Sequence, residues 1–171
     1  RDALAALDLP GRSRILDVGA GTGELTRVLA EESPAEVVAL DADPRLLDHA
    51  DADHRLTGDA TRLPVRENAC DLVACQALLI NLPDPAAAVR EFARVSSELV
   101  AVVEPDNAAV AVDSTVAAES ELSARAREFY VDGVGTDVAL GADAADLLEA
   151  AGLVDVSTTR YDHTRVVEPP Y

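Results

Sequence analysis

A chain of 171 residues, 49% of them hydrophobic, has the length and apolar content for one buried core. Its 32 acidic residues against 14 basic ones give a formal charge of −18, which argues against a nucleic-acid partner, since a phosphate backbone would meet a negative surface. No apolar run approaches membrane-spanning length, so a cytoplasmic protein with no membrane span is expected, and a surface whose bases are all arginine resembles those of salt-loving cytoplasms.

The first element is an apolar run, Ile15, Leu16 and Val18, that contains Asp17 and leads at once into Gly19, Gly21 and Gly23. The run predicts a buried strand, and the alternate glycines remove the β-carbons that would keep a backbone away from a ligand. A helix over 24–31 follows, its free N–H groups pointing back at the turn. Glu24 stands where a dinucleotide fingerprint, G-x-G-x-x-G, needs its last glycine, which counts against an NAD-dependent oxidoreductase and leaves that reading as an alternative. Val37 to Leu40 predicts a second buried strand, ending at Asp41 and Ala42. Asp43, directly before Pro44, is the better N-cap for the next helix, so Asp41 is left at a strand end with no structural task.

Residues 55–57 read as an edge strand leading into Gly58-Asp59-Ala60-Thr61-Arg62-Leu63-Pro64, which by composition alone is a turn. Cys70 to Cys75 predicts a fourth strand, with 76–82 as the loop after it. Asp84-Pro85 is a preferred helix start, and Val89, Phe92, Ala93 and Val95 give that helix an apolar face. Leu99 to Val103 is the fifth strand, ending at Glu104-Pro105-Asp106-Asn107. A helix is expected over 112–131, where glycine and proline are absent, and another over 144–151, closed by Gly152. Residues 153–167 alternate loosely and read as one long strand or a pair. Cys70 and Cys75, five apart on one strand, are expected on opposite faces as buried, unbridged thiols. His49, His54 and His163 are scattered, so no metal site is expected.

In order and spacing, Asp17-Val-Gly-Ala-Gly-Thr-Gly23, the strand-end Asp41 and Gly58-Asp59-Ala60 resemble the motifs of class I S-adenosylmethionine-dependent methyltransferases. The style is closest to the small-molecule enzymes of ubiquinone and menaquinone biosynthesis. The resemblance implies an α/β fold, a Rossmann-like doubly wound, mostly parallel sheet, whose final antiparallel strand is expected to lie beyond this sequence. It implies one domain over 1–171, with a helical insert over about 107–140 that covers the pocket. Tyr130 is then a candidate contact to the acceptor, and Gly133, Gly135 and Gly141 mark a hinge.

The implied cofactor is S-adenosyl-L-methionine. On this resemblance the turn of Gly19, Ala20, Gly21 and Gly23 wraps its methionine part, and Asp17 helps hold the ammonium group through water. Asp41, with Ala42 beside it, accepts the ribose hydroxyls; Asp59 accepts the adenine amine, the Ala60 N–H faces a ring nitrogen, and Gln76 lines the pocket. The implied activity is methyl transfer to a small-molecule acceptor by direct in-line displacement. No residue is selected as catalytic: Glu104, Asp106 and His163 are equivalent candidates for a base. A non-catalytic module with the same pocket is a further alternative.

Overall fold

The computed structural model describes residues 2–116, 118–137, 139–162, 164 and 166. Five strands, β1 (Arg14–Val18), β2 (Glu36–Asp41), β3 (His54–Thr57), β4 (Cys70–Gln76) and β5 (Ser96–Val103), form one all-parallel sheet in the order β3-β2-β1-β4-β5. The five strands read between residues 15 and 103 are all present, each extended by one to three residues where a polar residue flanks the apolar run. The α/β, doubly wound architecture expected above is the one observed. Among the described residues no strand pairs the outer edge of β5.

The period of two along β1 sorts the helices between the faces. Ile15, with Val37, Leu72 and Ala74, packs beneath α1 (Glu24–Glu32) through Leu25 and Leu29. Leu16 and Val18, with Leu40, Val73 and Cys75, pack on the opposite face against α3 (Pro85–Val95) and α5 (Ala144–Ala150), where Val89, Phe92, Val95 and Leu148 are buried. A third, small cluster of Ala20, Ala39, Leu47 and Ala50 sits under α2 (Pro44–Leu47). The caps are the ones expected: Asp43 accepts from the Arg45 N–H, and Asp84 from the Ala87 N–H, each with proline in the first turn. The strand order reverses direction between β1 and β4, which makes the carboxyl ends of β1, β2 and β4 the switch point where an open α/β sheet takes its ligand.

Three expectations are corrected. The helix expected over 112–131 is α4, Glu119–Gly133, starting seven residues late. Ser114 accepts from the Val116 N–H and donates to Glu119, a local turn that competes with helix. Val110, Val112, Thr115 and Val116 add χ1 restriction and find no core to bury in. Residues 153–162 form no strand, since no neighbour in the described structure offers them a ladder; the remainder of the expected strand falls largely on 163, 165 and 167, which lie outside the described residues together with 168–171. Cys70 and Cys75 are free and buried but belong to the same apolar cluster, because a register shift between Cys70 and Leu72 breaks the strict alternation.

Candidate functional site

The chain leaves the sheet at one rim: Gly19–Gly23 after β1, Asp41–Asp43 after β2, Gly58–Ala60 after β3, Gln76–Asn81 after β4 and Glu104–Asn107 after β5. All three glycines of the first turn have left-handed backbones, Gly19 at φ 71°, Gly21 at 55° and Gly23 at 90°. Their surroundings differ. A β-carbon on Gly23 would stand 2.7 Å from the Ala50 Cα, and one on Gly19 2.7 Å from the Leu78 Cδ1, whereas one on Gly21 would meet nothing within 4 Å. Gly23 is therefore needed for packing against backbone, Gly19 sits under the tip of the Leu78 side chain, and Gly21 lies against open space that a bound molecule can enter.

The turn is fixed from β2. The N–H groups of Gly19 and Ala20 both donate to the Leu40 carbonyl, at 2.8 and 2.9 Å. The Gly21 N–H donates to Asp41 Oδ2 at 2.8 Å, and the Asp43 N–H to Asp41 Oδ1 at 2.9 Å. Asp41 thus has the structural task the sequence did not disclose. It remains only partly buried, and each carboxylate oxygen can accept a second hydrogen bond.

Asp17 lies deeper. Its position in β1 shares the face of Ile15, so it points beneath α1, where it is 1% exposed and accepts the Thr26 hydroxyl at 2.6 Å. Burial pushes its pKa up to about 6 against the lowering by Thr26, whose N–H also donates, and the nearby Asp41 charge adds a smaller upward push. Asp17 ties the first turn of α1 to β1 under the glycines, so a polar group over the turn meets its field.

Asp59 is exposed; its Oδ1 accepts the Thr61 N–H and hydroxyl at 2.8 and 2.7 Å, bonds that hold its pKa below the usual carboxylate value. Ala60 is buried in the core, and Ala42 and Gln76 are exposed at their strand ends. A network absent from the sequence reading fastens the loop that carries Asp59 and Ala60 to α3. Arg94 chelates Glu91 at 2.7 and 2.6 Å and donates to the Leu63 and Val65 carbonyls, while Glu91 accepts the Leu63 N–H. Thr26, Leu78 and this pair were missed because their partners are distant in sequence; the Arg94 spacing to Val65 is 29 residues.

α4 follows the rim segment after β5. None of its residues is buried, its packing to the rest runs through the 3-10 turn Asn107–Ala109, and Phe129 and Tyr130 are 72% and 51% exposed instead of packing in a core. Gly141 is unsuited to a hinge: a β-carbon there would lie 2.7 Å from the Pro105 carbonyl carbon and oxygen. Among the described residues no group of three or more His, Cys, Asp or Glu is placed to hold a metal ion, and no helix is long and apolar enough to cross a membrane.

A ligand suited to this rim carries positive or hydroxyl groups, because Asp41 and the exposed Asp59 stand at successive strand ends beside an open glycine turn, with the buried Asp17 beneath it. Comparison with known proteins agrees with that chemistry. Residues 16–103, just over half of the chain, match the family described as methyltransferase domain. The demethylmenaquinone methyltransferase of Lactiplantibacillus plantarum is 35% identical over 107 residues, 56% of this chain and 45% of that protein. The ubiquinone biosynthesis O-methyltransferase of Xanthomonas oryzae pv. oryzae is 34% identical over 100 residues, 53% of this chain and 41% of that one. The chain thus spans under half the length of these curated relatives. Among solved structures, a Bacillus halodurans C-125 protein provisionally classed as a methyltransferase superposes with a TM-score of 0.66 at 22% identity, over 88% of this chain and 67% of its own, which shows the shared fold. The matched region runs from within β1 to the end of β5, taking in the glycine turn with Asp17, Asp41 and Asp59, and on that ground the chain belongs to the methyltransferase domain family.

Proposed function

We propose that the chain binds S-adenosyl-L-methionine along the carboxyl rim of its sheet and transfers the methyl group to a small-molecule acceptor in the cytoplasm of a salt-adapted cell. The observation that carries this reading is the open space over Gly21 beside Asp41 and above Asp17. The residues present fit the cofactor: the turn Gly19–Gly23 takes the methionine part, Asp17 supplies negative potential toward its ammonium from below, and Asp41 accepts ribose hydroxyls on its remaining lone pairs. Asp59 and the Ala60 N–H are read as the adenine contacts, with Ala42 and Gln76 lining the sides. When bound, the cofactor supplies an activated sulfonium methyl group that a nucleophile can take directly.

The protein's own part is to align and to exclude water, which explains why cofactor groups are legible and a catalytic acid or base is not. The segment over about 107–140, with α4, is read as the acceptor-side insert of a single domain. Nucleic acid is disfavoured as acceptor by the −18 charge. Calorimetric titration with S-adenosylhomocysteine and with NAD in high salt tests the assignment. Binding of the first and not the second, with at least a tenfold loss in Asp41→Ala, is the expected result; binding of NAD alone reverses it.

A further inference from the structure

Glu104, at the end of β5, does not face the rim as a free acid. Its Oε1 accepts the N–H groups of Leu78 and Leu79, both at 3.0 Å, and its Oε2 that of Ile80 at 3.4 Å. Three consecutive amides converge on one carboxylate because Ala77 turns the chain with a left-handed backbone, φ 49°, after its own N–H has extended the β4–β5 ladder to the Val103 carbonyl. The clamped segment delivers the Leu78 side chain onto Gly19, where the space a β-carbon would need is already filled. Glu104 is itself held from behind, since Gly141 brings its backbone against the Glu104 and Pro105 carbonyls and the adjacent Leu140 is buried in the core. Of the other base candidates, Asp106 accepts the Ala108 and Ala109 N–H groups as a cap, and His163 lies outside the described residues.

We propose that Glu104 is a positioning residue: seated in the amides of Leu78–Ile80, it presses Leu78 against Gly19 and so sets the shape of the glycine turn at the methionine end of the cofactor. The proposal rests on the function proposed above and separates Glu104 from proton transfer. Its test compares two probes on the folded chain, S-adenosylhomocysteine and 5′-methylthioadenosine, which lacks the amino-acid end. Glu104→Ala is expected to weaken the first about tenfold and the second by less than about threefold, because charged-acceptor hydrogen bonds to three amides are lost at one end of the site only. Glu104→Gln keeps an acceptor toward Leu78 and Leu79 and is expected to stay within about threefold of the unmodified chain for both probes. Folded Glu104→Ala with unchanged affinity for S-adenosylhomocysteine, an equal loss for both probes, or a Gln variant as weak as the Ala variant overturns the proposal. Should Glu104→Ala fail to fold, Leu78→Ala reads the same contact: a selective loss for S-adenosylhomocysteine supports the proposal and unchanged affinity overturns it. Failure of the unmodified chain to bind S-adenosylhomocysteine refutes the function itself and this inference with it, a result distinct from all of these.

Discussion

Replacing Asp17 by asparagine isolates the free energy of keeping a charge under the glycine turn. The folded carboxyl titrates near 6 against a reference of 3.8, chiefly through burial. An acid whose folded pKa is raised is favoured in its protonated form, so its contribution to stability is full below the unfolded value and is lost as pH rises through the folded one. At about 1.4 kcal/mol per pK unit the full loss is roughly 3 kcal/mol, about half of it between pH 5 and pH 7.5. The Asp17→Asn variant carries no such dependence, and the amide oxygen still faces Thr26, while the buried N–H2 adds a penalty that is the same at every pH. Urea denaturation of both proteins at pH 5, 6 and 7.5 in constant high salt gives the difference. Stability of the variant relative to the parent should rise by about 1.5 kcal/mol from pH 5 to pH 7.5. A flat difference refutes the claim that the Asp17 charge is held against its solvation.

Gly23→Ala should lose about 2–3 kcal/mol by urea denaturation, because its β-carbon meets the Ala50 backbone in a left-handed conformation, while Gly21→Ala should lose only about 1 kcal/mol yet abolish tight binding of S-adenosylhomocysteine by calorimetry. Arg94→Met keeps the packing stem and removes the bonds to Glu91, Leu63 and Val65; a stability loss of about 1–3 kcal/mol with faster amide exchange at Leu63 is expected. Raising sodium chloride from 0.1 to 1 M cuts the screening length from about 10 to 3 Å, so the urea midpoint should rise for a chain of charge −18, and an unchanged midpoint argues against salt adaptation.

The sheet was legible because its central strands β1, β2 and β4 are largely buried and read as mostly apolar runs, and because each of the first four runs ends at a polar or glycine-rich turn. β3 and β5, more exposed at the edges, were read from their position in the alternation with helices. Asp17, one residue short of its strand end, is buried beneath α1, whereas the place of Asp41 and Asp59 at the rim followed from strand ends alone. Their immediate partners did not: Thr26 under Asp17, Gly21 on Asp41, and the Leu78–Ile80 amides on Glu104 are tertiary contacts with no local spacing. The late start of α4 has a different origin. Its sequence has helical composition, but no buried face fixes where the helix begins, so the Ser114 turn decides it. The missing ladder over 153–162 follows the same logic, since alternation specifies a strand only where a neighbour exists to receive it.

β5 ends the sheet with eight mostly apolar residues, and among the described residues no strand pairs its outer side. A strand from another molecule can pair with such a border, and a net charge of −18 opposes the approach of a second copy. Ionic strength therefore acts on this chain in two opposed ways: the counterions that relax repulsion within one molecule also let neighbours touch, and oligomers assembled edge to edge should grow with concentration in brine.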